Sequence, residues 1–109
     1  MKLAIITPPL FTDYNYLIYE IKHYYLLDEI DEIVSIQNDL VEKFANEFNI
    51  KITIFKSNWT KYGRSANLIK TQEIIDYCDE LLVFVDNDNN LFIDLASDSD
   101  IPFIIIQIN

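Results

Sequence analysis

Asp86-Asn87-Asp88-Asn89-Asn90 is a run of five consecutive acidic or amide side chains. Oxygen donors at alternate positions open a calcium loop. The rest of such a loop is missing, because Leu91 stands at its sixth position, where glycine makes the turn, and Ser97 at its twelfth, where glutamate closes the site. An Asp-x-Asp after a strand also serves metal-dependent phosphoryl transfer when a neighbouring strand end supplies another carboxylate. The loop after the first strand offers only Asp13. The run therefore reads as a polar turn whose side chains cap the next helix, and no metal is expected.

Lys56, Lys61, Arg64 and Lys70 are half of the eight basic residues, and Trp59 and Tyr62 lie among them. Cations interleaved with aromatic rings can hold an anionic nucleotide by charge and base stacking. The competing reading packs Trp59 over the sheet end and leaves the lysines as solvated charges. It is the preferred one, since a phosphate site without backbone donors rests on flexible side chains alone. Trp59 is then expected to be at least partly packed, and Trp59→Ala would cost about 3 to 5 kcal/mol if its ring is core-buried. Cys78 has Asp76, Asp79 and Glu80 nearby, which disfavour a thiolate, and reads as core filler. His23 stands beside Tyr24 and Tyr25 with no second ligand at helical spacing.

One cysteine and one histidine exclude an internal disulfide, a cysteine zinc site and an imidazole pair. The single glycine, Gly63, excludes more. An average chain of this length holds about seven, and neither a glycine-rich phosphate loop nor a G-x-S-x-G nucleophile elbow can be written. No catalytic residue and no cofactor is expected. The net charge of −10 repels nucleic acid and anionic lipid, leaving proteins, cations or small molecules as partners. The first apolar run is too short for a signal peptide and none approaches the ~20 residues of a membrane span, so the expectation is a soluble cytoplasmic protein.

Half the 109 residues are hydrophobic, enough for one folded domain. Nearly continuous apolar runs at Lys2 to Ile6, Glu32 to Ser35, Lys51 to Phe55, Leu81 to Val85 and Phe103 to Ile108 read as strands covered on both faces. They alternate with helical patterns. Tyr14, Leu17, Ile18, Ile21 and Tyr25 form one stripe of a helix from about Tyr14 to Leu27. Asn38 caps a second, with Asp39 and Glu42 in its first turn and Leu40, Val41, Phe44, Ala45 and Phe48 inward. A third runs from about Ser65 to Tyr77 and a short fourth from about Leu91 to Ser97. Alternating units of this kind predict an α/β, three-layer Rossmann-like sandwich on a five-stranded parallel sheet, ordered 3-2-1-4-5, with flavodoxin-like 2-1-3-4-5 as the alternative. Ligands would sit beyond the carboxyl ends of the strands, at the loops Thr7 to Asp13, Ile36 to Asn38, Lys56 to Arg64 and Asp86 to Asn90.

The chain resembles the small YspA-like domains of the SLOG superfamily, Rossmann-like proteins related to the DprA and LOG groups. Asn58-Trp59-Thr60-Lys61-Tyr62-Gly63-Arg64 is similar to that family's D-W-x-K-Y-G-K loop. Phe11-Thr12-Asp13-Tyr14, Asp31-Glu32-Ile33-Val34-Ser35, Ile93-Asp94-Leu95-Ala96 and Ile101-Pro102-Phe103 resemble its first helix, second strand, last helix and last strand. The family's ligand rim is where the chain departs. Thr7-Pro8-Pro9 replaces a Gly-Ser-Arg-like turn, and Ile36-Gln37-Asn38 replaces a longer G-G-x-x-G-A-D anion loop. Lys70-Thr71 stands for an Arg-Asn pair, and Asn89-Asn90 for Gly and Lys.

The resemblance implies a degenerate scaffold, hence a non-enzymatic protein-interaction or structural module. Its isoleucine- and asparagine-rich composition would suit a phage or mobile-element accessory, virion or host-inhibitor protein. The alternative is residual binding of a nucleotide derivative through Trp59, Tyr62, Arg64 and Lys70. The last strand, Phe103 to Ile108, becomes an unprotected apolar edge in the preferred order. With Tyr16, Tyr19 and Tyr24 off the buried stripe of the first helix, that edge, Phe103 and Ile105 included, predicts a homodimer or a complex with another protein.

Overall fold

The computed structural model describes residues 1–36, 38–86 and 90–108. Five parallel strands, β1 (Lys2–Ile6), β2 (Glu32–Ile36), β3 (Lys51–Phe55), β4 (Glu80–Val85) and β5 (Phe103–Gln107), form one sheet in the order β3-β2-β1-β4-β5. This is the Rossmann-like α/β arrangement expected from the alternation of apolar runs and helical stripes. The helices are α1 (Tyr14–Tyr24), α2 (Asp39–Glu47), the single turn α3 (Trp59–Tyr62), α4 (Ala66–Tyr77) and α5 (Leu91–Asp98).

Strand pleating divides the core into two layers. Leu3, Ile5, Ile33, Leu82, Phe84 and Ile106 point to one face and meet Leu17 and Ile21 of α1 and Val41 and Phe44 of α2. Ala4, Ile6, Val34, Leu81 and Val83 point to the other and meet Ile74 and Ile75 of α4 and Phe92 and Ala96 of α5. Burial on both sides is why the central strands carry apolar residues at successive positions.

The elements depart from the sequence reading mainly at their ends. α1 stops at Tyr24 instead of Leu27, because Tyr25 is extended and buried, with its hydroxyl donated to Glu80 at the start of β4. A 3-10 turn, Leu27–Glu29, follows. With one glycine available, the chain ends two helices on left-handed non-glycine residues. Asn49 (φ 58°) follows α2 and Asp100 (φ 57°) follows α5. In both, the next N–H reaches back into the last turn, Ile50 to the Ala45 carbonyl and Ile101 to the Ala96 carbonyl.

Candidate functional site

The loops at the carboxyl ends of the strands form a rim on which helix N-termini are occupied by the chain's own side chains. Asn38 Oδ1 accepts the N–H groups of Leu40 and Val41 at 3.0 and 3.2 Å, and its Nδ2 donates to Thr7 Oγ1 at 2.8 Å. Asp13 caps α1 through Tyr16 N–H, Asn58 caps α3 through Lys61 N–H, and Asn90 caps α5 through Phe92 N–H. Ser65, before α4, makes no such bond, but a 3-10 turn (Gly63–Ser65) leads straight into that helix and takes up Ala66 N–H at the Gly63 carbonyl. Amides that would otherwise be free to converge on a phosphate are thereby engaged. Gln37 and Asn87 to Asn89 lie outside the described residues, so the calcium-like run and the loop after β2 are described only at their flanks. Among the described residues no cluster of three or more His, Cys, Asp or Glu could hold a metal ion.

The basic side of the rim flanks β3. Trp59 and Lys70 line one recess of about 360 Å³ with Ile36 and Phe55, and Tyr62 and Lys70 line an adjoining one of about 220 Å³ with Lys56 and Lys61. Arg64 lines neither. The structure thus brings together three of the four residues singled out in the sequence. Among the described residues none of Lys56, Lys61, Arg64 and Lys70 lies within 4 Å of a carboxylate; Lys61 sits over the Tyr62 ring at 5.0 Å. Burial holds the Lys70 ammonium below its usual range. Trp59 shares its recess with Ile36 and Phe55 at the sheet end, but 56 % of it is exposed, so its ring is partly packed and not core-buried. The reason is topological: α3 buries none of its four residues and projects from β3, an edge strand with no sheet beyond it to cover.

The other side of the rim holds a larger cavity, about 690 Å³, between the loop after β1 and the ends of β4 and β5. Leu10, Phe11, Tyr16, Asp86 and Ile108 are among its walls. Two of its walls belong to the loops Thr7 to Asp13 and Asp86 to Asn90 named from sequence, but the part taken by Tyr16 and the end of β5 was missed, because the walls come from separate stretches. The one available signal was Leu10 and Phe11 directly after two prolines, in a loop that has no strand or helix to bury them.

From this cavity an aromatic row runs along α1. Phe11 stacks on Phe84 with ring centroids 5.5 Å apart. Tyr16 and Tyr19 stack at 6.5 Å, Tyr19 and His23 at 5.9 Å, and His23 meets Tyr24 edge-on at 4.7 Å. Tyr16 is half-buried, whereas Tyr19 and Tyr24 are exposed. β5 is an edge strand, with Ile104 and Ile106 packed toward the α1 face. Phe103 packs on the opposite face, toward α5, where Ile105 is exposed. The predicted interface residues therefore lie on two faces that meet at the β5 edge. Cys78 is buried and its thiol is pushed up to about 12 by that burial, with Asp79 and Asp76 adding to the effect. It stays protonated.

No family model matches the chain, and no curated protein and no solved structure matches it. What the fold defines is a Rossmann-like α/β domain whose described helices include none long and apolar enough to cross a membrane.

Proposed function

We propose that the chain is a non-enzymatic protein-interaction or structural module on a degenerate SLOG-like scaffold, working through the α1 face and the β5 edge. The observation that carries this reading is the exposed aromatic row of α1 beside an apolar edge strand. Tyr19 and Tyr24 expose 60 % and 45 % of their surface and Ile105 exposes 45 %. Aromatic side chains are enriched in interface cores, and an uncovered edge offers its free N–H and C=O groups to a further strand. β5 carries no charged residue that would discourage pairing. The strongly acidic surface fits a phage or mobile-element accessory that meets a host protein in the cytoplasm. Homodimerisation through the same edge is the other form the interaction can take.

Sedimentation at micromolar concentration in physiological salt, with amide exchange along Phe103–Gln107, tests the homodimer. Native mass spectrometry of protein taken from its source tests the hetero-complex. A monomer in both, with freely exchanging outer amides of β5, would refute the proposal.

A second reading, binding of a nucleotide derivative by Trp59, Tyr62, Arg64 and Lys70, is favoured by the shared recess of Trp59 and Lys70. Calorimetric titration with ADP-ribose, NAD and cyclic nucleotides decides it. Dissociation constants weaker than about 10 µM, or roughly −7 kcal/mol, are expected, given that Asn38 occupies the N-terminus of α2.

A further inference from the structure

We infer that the cavity between the β1 loop and the ends of β4 and β5 binds a small apolar cation, an ammonium or guanidinium carried on an aromatic or branched hydrocarbon. Its volume of about 690 Å³ falls within the range of small-molecule sites, roughly 300 to 1,000 Å³. Its place is the one open parallel sheets reserve for ligands, beyond the strand ends where the connections leave in opposite directions, here between β1 and β4.

The chemistry of the walls selects the ligand. Leu10, Phe11 and Ile108 supply apolar surface, and Leu10 is 92 % exposed, so a hydrocarbon seated against it would remove that surface from water. The charged wall residues, Asp13 and Asp86, are both acidic. No lysine, arginine or histidine is among them, and the Tyr16 ring offers a face on which a cation is attracted by the π quadrupole. For an anion the described walls hold only neutral donors, such as the Thr12 hydroxyl and the Gln107 amide, beside two carboxylates. Pro8 has no N–H to give, and Phe11 N–H is already bonded to the Pro8 carbonyl at 3.1 Å. Asp13 offsets the positive end of α1 as its cap. Tyr16 belongs both to this site and to the α1 face, but Leu10, Phe11 and Asp86 lie outside that face, and the probes are tested on the chain by itself.

A net charge of −10 gathers cations weakly over the whole surface, so the test turns on location and on charge at constant shape. Three probes share a phenyl ring on a two-carbon tether: phenethylammonium, 2-phenylethanol and 3-phenylpropanoate. Titrated into the full chain with labelled methyl groups at moderate salt, phenethylammonium should bind tightest and shift the Leu10 and Ile108 methyls. The alcohol should bind at least about fivefold more weakly and the carboxylate weakest of all. Asp86→Asn should weaken the ammonium about tenfold toward the alcohol's affinity. Leu10→Ser should weaken both together. Both positions are exposed, and a thermal melt of each variant checks that the fold is kept. Equal or tighter binding of the alcohol or carboxylate would overturn the inference. So would saturation without shifts at Leu10 and Ile108, or shifts centred on the Trp59 recess.

Discussion

Glu32 and Lys70 lie at opposite ends of the same face of the sheet, and both give up part of their hydration. Glu32, at the amino end, accepts hydrogen bonds from the Tyr77 hydroxyl at 2.7 Å and the Thr53 hydroxyl at 2.8 Å, and pairs with Lys51 at 3.3 Å. Lys70, toward the carboxyl end, has no carboxylate within 4 Å among the described residues. The same contrast extends across the two ends. At the amino end Tyr25 donates to Glu80, Asp79 accepts from Lys2 N–H, and Asp31 pairs with the N-terminal ammonium. The carboxyl end has recesses, exposed Trp59 and Leu10, and lysines with no carboxylate within 4 Å among the described residues. Charge satisfied within the chain stabilises the fold, whereas charge and apolar surface left open are available to a ligand or partner.

If that division holds, substitutions at the amino end should cost stability and those at the carboxyl end should not. Glu32→Ala strands two hydroxyls and a lysine, and should lower unfolding free energy by about 2 to 3 kcal/mol in chemical denaturation. Its pH dependence sharpens the point. The Tyr77 hydrogen bond, foremost, together with Thr53 and Lys51, holds the Glu32 carboxyl below its ordinary value of 4.5. A depressed folded-state pKa means that its contribution is complete above about pH 4.5 and fades as pH falls through the lowered value. Glu32→Gln should flatten that part of an acid titration of stability. Trp59→Ala, at the open end, should change stability by less than about 1 kcal/mol; a loss of 3 kcal/mol or more would break the comparison. The smallest effect belongs to a helix end. Asp100→Gly relieves a left-handed residue after α5 and should raise stability by about 0.5 kcal/mol, read as a small rise in denaturation midpoint.

The strands were legible because sheet burial leaves apolar residues at consecutive positions, as in Leu81 to Val85, whereas their order was one of two topologies compatible with that alternation. The buried stripe of α1 was legible too, but not its end, since a long-range bond from Tyr25 to Glu80 decides where that helix stops. α3 escaped because four residues carry no period, and how much of Trp59 is covered could not be read because it depends on how that short turn is set beyond the end of β3. Of the candidate site, the grouping of Trp59, Tyr62 and Lys70 could be read from their closeness along the chain. The loops of Leu10 and Asp86 were named as ligand loops, but not the cavity they form with Ile108, because only the assembled sheet brings these residues together.

The position of β1 carries a consequence for how the chain is made. The first strand of this sheet to be synthesised ends up in its middle, with Ala4 paired to Val34 on one side and to Leu81 on the other. β1, β2 and β3 can assemble once the first half has emerged, yet β1 then keeps one bare edge until β4 arrives, a wait of a few seconds at ordinary rates of translation. During that interval the backbone of Leu3 to Ile6, later the most enclosed in the molecule, is the exposed margin of a half-built sheet. Nascent chains stalled there are the ones expected to aggregate or to need a chaperone.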